Sequence, residues 1–430
     1  MKRTAGWRVV AALVVLAVGL VGAGPAAAQQ KKLVYWTHWD QTPKFNKWYE
    51  TKGKEFAKKT GYEVEVVTIP AQGSEPKYLA GLMGRSGAPD FFFGSTEVWC
   101  GQHDFCDPMP PNLAKTLDEN LLPYLVPFGK WKGVRYGTPI EAGNFMQMYI
   151  NVEMFKKAGL DPDKPLKTLD EWLAAMKKLT ILDAKGEPVQ VGYAIRHAGT
   201  ARGLGDKFLP FAHAFGARMV SPGIDKAAGY VNSPEMVAAL QYYGDLVHKH
   251  KVATLAHGSP EDAFAQKRAA VMFRESWFYG WVKANAPDVN VKVYPLPCGK
   301  VCPGATVFFP WTDLVYKHSP NKQMAWEFIR FISNAKDDLE HHQIDGILPV
   351  WKASYESNYV KSRPDYASTQ EMMARPPAPL YVHPKHLDMG AAVGEAISGV
   401  LFRKEDPKAL LDRAAVKIQN LIEDYELMKK

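Results

Sequence analysis

Hydrophobic and polar positions alternate between two rhythms along this chain. The run Lys32 to Trp36 (KLVYW) is short and apolar and ends in the polar turn Thr37 to Thr42, a pattern that predicts a buried strand. A helix is expected from about Lys44 to Thr60, then a strand with alternating side chains from Tyr62 to Ile69 (YEVEVVTI). A helix near Ser74 to Arg85 precedes Ala88 to Gly94 (APDFFFG), where an apolar run stops at Gly-Ser. Strand, helix, strand, helix, strand predicts a parallel sheet with helices on its faces. Ligands in such sheets sit beyond the carboxyl ends of the strands, which here are Thr37 to Asp40 and Ser95 to Trp99. Further on, Thr168 and Glu171 form a capping box that opens a helix running to about Thr180. A helix is expected from Phe208 to Phe215. Ser233-Pro234 and Ser319-Pro320 each read as an N-cap followed by proline, starting helices of roughly four turns. A long amphipathic helix follows Asp406-Pro407. No internal repeat and no Gly/Ser/Pro linker divides the chain, so two lobes joined by several crossings are expected rather than separate beads.

The N-terminus changes the picture of where the chain goes. Lys2, Arg3 and Arg8 precede an uncharged apolar run from Val9 to Val21 and a small-residue tract ending Ala26-Ala27-Ala28. That is the pattern of a cleavable secretory signal over residues 1–28, and the run is too short for the ~18 apolar residues of a membrane span. With no cysteine near the cleavage point, a lipid anchor has no acceptor, and a free periplasmic protein is expected. About 400 remaining residues exceed what one core organises, which favours two domains. The formal charge is +8, and removing Lys2, Arg3 and Arg8 leaves about +5, spread along the chain. With no basic run interleaved with aromatics, nucleic acid is not indicated.

Four cysteines fall in two close pairs, Cys100 with Cys106 and Cys298 with Cys302. Export favours each pair closing its own loop as a disulfide. The alternative is metal, since His103 lies inside the first pair, but the spacings match no zinc pattern and no metal or other cofactor is expected. An exported hydrolase would need paired carboxylates or an activated nucleophile. The chain has no Gly-x-Ser-x-Gly elbow, no His-Glu-x-x-His and no phosphate-cradling glycine loop. His341-His342 would point about 100° apart on a helix, a poor chelating pair, and reads as helical surface.

A longer pattern then emerges: Gly133 to Ile140 (GVRYGTPI), Tyr149-Ile-Asn151, Met154 to Leu160 (MFKKAGL) and Thr168 to Trp172 (TLDEW). With Ala88-Pro-Asp90, Phe264 to Met272 leading to Trp277, and Pro310-Trp311 followed by Ala325 to Phe328, it resembles the extracellular solute-binding protein family 1, the maltose-binding-like receptors of ABC importers. The resemblance spans nearly the whole chain after the signal. It implies a periplasmic-binding-protein-like fold of two α/β lobes around a ligand cleft, with crossings near Ile140 to Gly143, Thr306 to Pro310 and Ile347 to Val350. Lobe 1 is then 29–141 and 308–347, and lobe 2 is 142–307 and 348–430. The implied function is capture of a sugar by hinge closure, as a monomer that delivers it to membrane permease subunits, without catalysis. A receptor for a phosphorylated polyol such as glycerol 3-phosphate is the alternative, with Arg202, Lys207, Arg218 and Arg274 as its charge partners.

Sugars offer hydroxyls around a ring and apolar faces above and below it, so a site needs aromatic platforms and polar partners. Trp39 and Asp40 follow the first predicted strand, and Ser95, Glu97 and Trp99 follow the third. Arg274 and Trp277 follow an apolar strand of the second lobe, and the resemblance places a stacking aromatic where Trp277 stands. Trp311 matches the family's Gly-Gly-Trp aromatic, although Pro310 replaces the preceding glycine. Asn144, after the first crossing, and Asp206, beside Lys207, complete the expected ligand-binding set.

Overall fold

The computed structural model describes residues 31–40, 43–141, 146–305, 310–375, 378 and 381–428. The expected signal, Asn144, and parts of the first two crossings lie outside the described residues.

Twelve strands are described: β1 Lys31–Thr37, β2 Tyr62–Thr68, β3 Phe91–Gly94, β4 Lys130–Trp131, β5 Val134–Arg135, β6 Gly137–Pro139, β7 Met146–Asn151, β8 Ile181–Leu182, β9 Pro188–Tyr193, β10 Ala269–Glu275, β11 Val291–Tyr294 and β12 Thr312–Val315. Ten of them build two five-stranded sheets, ordered β2-β1-β3-β12-β6 and β11-β7-β10-β9-β8. The first three strands pair parallel, Lys31 opposite Tyr62 and Tyr35 opposite Phe91, as the strand and helix rhythm predicts. β12 joins them antiparallel to both β3 and β6. In the second sheet only β9 and β10 run parallel. β6 and β7 lie in different sheets, as do β11 and β12, so the chain passes between lobes after Pro139 and again before Thr312.

The cores follow from the same apolar runs. Leu33, Tyr35, Phe91 and Phe93 are fully buried in the first lobe, where the hydroxyls of Tyr35 and Tyr49 each donate to the Asp313 carboxylate at 2.8 Å. In the second, Trp172 on the helix Leu169–Leu179 packs on Tyr193 of β9 and Phe273 of β10. The turn between β4 and β5 places Lys132 and Gly133 at φ 48° and 81°, the left-handed pair of a tight hairpin, which only glycine adopts without strain.

Local signals were read well where they depend on neighbours in sequence. The capping box of Thr168 and Glu171 is complete, and Ser233 caps the helix Pro234–His248. Three expectations are corrected. Ser319 does not cap a helix: its hydroxyl donates to buried Asp90 at 2.6 Å, and the helix begins two residues later than proline at its first position would give, spanning Lys322–Ile332 in three turns. The helix expected from Phe208 is Ala201–Ala214, opened by Thr200, so Asp206 and Lys207 lie within it rather than before it. The third crossing comes after residue 350. Trp351 bridges Leu121, Leu122 donates to the Val350 carbonyl at 2.9 Å, and Asp338 accepts the amides of Val350 and Trp351 at 3.0 and 3.1 Å, which keeps this segment on the first lobe. Contact with the second sheet is made by Ser368 and Thr369, which accept from Gln147 of β7 at 3.2 and 3.0 Å.

Both cysteine pairs close locally, Cys100 to Cys106 and Cys298 to Cys302. That pairing leaves no thiolate beside His103 for the metal alternative.

Candidate functional site

Strand ends of both sheets converge on one cavity of about 370 Å³. From the first lobe it is lined by His38, Trp39 and Asp40 after β1, by Glu75 and Tyr78 of the helix Ser74–Gly84, and by Trp311 just before β12. From the second it is lined by Arg202, Asp206 and Lys207 of the helix Ala201–Ala214, by Arg274 and Glu275 at the end of β10, and by Trp277 opening the next helix. Arg202 and Asp206, four apart, share one face of the helix, and Lys207, about 100° round from Asp206, reaches the same cavity from the edge of that face.

The position of that helix depends on glycine. Gly394 and Gly390 of the helix His386–Ser398 let it lie against Ala201 and Gly205. A Cβ at Gly394 would fall 1.7 Å from the Ala201 carbonyl oxygen, and one at Gly205 would fall 2.2 Å from that of Gly390. Tyr381 donates to Asp206 at 3.1 Å from the same region.

Aromatic rings supply two platforms. Trp39 packs on Phe45 and Phe93, with ring centres 4.5 and 5.3 Å apart, and Trp311 stacks on Phe93 at 5.4 Å. The edge of His38 meets Trp311 at 4.6 Å, and burial, with Arg202 nearby, lowers the His38 pKa to about 3, so this imidazole is neutral. Across the gap, Trp277 lies under the Arg274 guanidinium at 4.7 Å.

The cleft's cations all have carboxylate partners. Arg274 binds Glu261 at 2.5 Å and Glu275 at 2.6 Å, Arg196 binds Glu261 at 2.9 Å, and Arg202 binds Asp206 at 3.1 Å. Lys207 pairs with Glu275. Burial pushes the Glu275 carboxyl up, but Arg274 and Lys207 outweigh it and hold its pKa at about 2. Arg274 is thus both a cavity residue and the centre of a buried ion-pair network.

The cavity therefore gathers Trp39, Asp40, Trp99, Asp206, Arg274, Trp277 and Trp311 of the residues named from sequence. Trp99 is 5% exposed and packs chiefly against Tyr78 and Phe92. Ser95 and Glu97 are not in it. They line a small adjoining recess with Phe128, Arg202 and Trp311, and the Ser95 hydroxyl donates to Glu97 at 2.7 Å. Arg218 lines neither recess. The histidine pair is buried rather than on a helical surface: His341 is stacked between Phe45 and Trp48, and His342 bridges the Ile140 carbonyl at 2.9 Å and Asp338. Sequence reasoning missed His38, Glu75, Arg196 and Glu141, all cavity residues. His38 sat within the strand-end turn already marked, so position alone could have found it.

The model of the family described as bacterial extracellular solute-binding protein matches residues 53–368. The maltotriose-binding protein of Pyrococcus abyssi is 22% identical over 74% of this chain and 66% of its own. The sn-glycerol-3-phosphate-binding periplasmic protein of Pectobacterium atrosepticum is 24% identical over 66% of this chain and 65% of its own. Among solved structures, a solute-binding protein of an ABC transporter from Thermotoga lettingae, bound with α-D-tagatose, superposes with TM-score 0.79 at 24% identity, covering 91% of this chain and all of its own. Maltose-bound MalE3 of T. maritima gives TM-score 0.76 at 20% identity over 91% and 99%.

Proposed function

This chain belongs to the bacterial extracellular solute-binding proteins, and we propose that it is the periplasmic receptor of an ABC importer, capturing a neutral mono- or oligosaccharide between its lobes without altering it. The observation that carries the ligand class is the pairing of Arg196, Arg202, Lys207 and Arg274 with carboxylates, together with indoles on both walls. A phosphate would have to share those cations with Glu261, Glu275 and Asp206, whose negative charges already offset them and oppose a further anion. A sugar needs no such exchange: its apolar faces lie on Trp39, Trp311 and Trp277, and its hydroxyls meet the remaining carboxylate and hydroxyl oxygens. Sugar-bound structures of like fold and the maltotriose-binding relative agree with this reading. The glycerol-phosphate relative keeps the phosphorylated polyol as the reading to test against it. The receptor acts as a monomer, and its lobes present the closed form to the permease subunits.

A thermal-shift screen of sugars and polyols, followed by calorimetry, tests the proposal, because a ligand that binds only the native state raises its melting temperature. Sugar affinity should barely move with salt, whereas phosphate binding weakens as ions screen it. Trp277→Ala and Trp39→Ala should each cost about 1 kcal/mol or more of binding. Normal binding by both variants would overturn the cleft assignment.

A further inference from the structure

Glu141 follows β6, where the chain leaves the first sheet, and it is 1% exposed while lining the cavity. Neither of its carboxyl oxygens has a hydrogen-bond partner among the described residues. A buried polar group left so is costly, and a ligand entering the cleft is positioned to satisfy it. The charged and titratable groups facing it come from several elements: Glu275 at the end of β10, Lys207 on the helix Ala201–Ala214, His342 on the helix Ala335–Asp345 and the phenol of Tyr124 in the turn Pro123–Leu125. Burial, reinforced by Glu275, pushes the Glu141 carboxyl up to about 8; the Trp311 backbone N–H, which lies near it but outside hydrogen-bond geometry, pulls the other way, as do His342 and Lys207.

We propose that Glu141 is a specificity residue of the cleft, whose two unpartnered carboxyl oxygens hydrogen-bond a hydroxyl of the ligand. This rests on the receptor reading above and narrows it to ligands with a hydroxyl at the hinge. A hydroxyl is both donor and acceptor, so one such group, or a neighbouring pair, satisfies both oxygens of a protonated carboxyl. Closing the lobes expels water and makes the charged form costlier still, and a neutral ligand brings no cation to offset it. As pH rises past about 8 the carboxyl loses the proton it donates, so affinity falls on the alkaline side and is level below.

Calorimetry of the full chain with maltose, maltotriose, mannobiose and tagatose, from about pH 6 to about 9.5, tests this with Glu141→Gln and Glu141→Ala. For a sugar that binds, wild-type affinity should be level near neutrality and then fall by up to about tenfold per pH unit above the carboxyl's pKa. Glu141→Gln, whose amide keeps a donor and an acceptor, should bind within a few-fold of wild type and lose the alkaline fall. Glu141→Ala should bind at least about tenfold more weakly near neutrality and show no alkaline fall of its own. Carbon-13 NMR of the glutamate side-chain carboxyls should show one resonance, missing in Glu141→Gln, that titrates near pH 8 in the free protein. Wild-type-like binding by Glu141→Ala, or titration of that resonance in the ordinary carboxylate range, overturns the inference and leaves the receptor reading standing. Failure of the wild type to bind any of the four sugars overturns both.

Discussion

Glu275 holds two cations at once, and the sign of its contribution depends on what replaces it. Its carboxylate meets Arg274 at 2.6 Å and also pairs with Lys207, with all three side chains largely out of water. Removing a buried ion set entirely is often neutral, but removing one partner leaves charges that water no longer solvates. Glu275→Ala should therefore lower the unfolding free energy by about 3–5 kcal/mol, read by urea denaturation at neutral pH. A loss under about 1 kcal/mol would mean that Glu261 alone satisfies Arg274. The same network explains what sequence could reveal about single residues. Trp39, Asp40 and Trp277 each sit beside a strand end that the apolar runs locate, whereas Trp311 was reached only through the family resemblance. Glu141 was not, because its character comes from groups far along the chain, Lys207, Glu275 and His342, which only the fold assembles.

At the level of elements, the helix Ala201–Ala214 is the arm that brings Arg202, Asp206 and Lys207 to the cleft, and its seat is the glycine-lined face of the helix His386–Ser398. With a Cβ only 1.7 Å from the Ala201 carbonyl oxygen, Gly394→Ala forces one helix away from the other at the end that carries Arg202. Overpacking of this kind costs about 1–3 kcal/mol, and the displaced arm should also weaken ligand binding. Thermal unfolding and calorimetry on the one variant measure both, and an unchanged affinity would show that the arm is placed by its other contacts. Nothing in the 386–398 sequence announces this seat beyond small residues at 390, 391, 392, 394 and 396, which are equally common in ordinary helices. The contrast with Thr168 and Ser319 is instructive. A capping box is decided within four residues and was read correctly, whereas Ser319 is captured by Asp90, more than two hundred positions away, and the local reading failed.

Across the whole molecule, the question is what holds the lobes together before a ligand arrives. Leu387 of the helix His386–Ser398 packs into the first lobe's cluster of Tyr78, Phe92 and Trp99, and Arg202 also reaches across: its guanidinium lies 5.1 Å over the Trp311 ring, and its Nε is 4.0 Å from the Glu75 carboxylate on the opposite wall. Glu75 is half exposed, so the ion pair is worth about 0–1 kcal/mol, and the cation–π contact adds about 0.5–1 kcal/mol. Together, at about 0.5–2 kcal/mol, they bias closure by up to about thirtyfold, too little to lock the cleft and enough to shift how much of the free protein is already closed. Apparent affinity scales with that population even for a ligand that never touches Arg202. Arg202→Ala should then open the unliganded protein, seen as a longer distance between fluorophores placed on the two lobes, and weaken sugar binding by up to about thirtyfold. The loss of affinity should equal the loss of closed population. An affinity that falls while the interlobe distance stays fixed would instead make Arg202 a direct ligand contact.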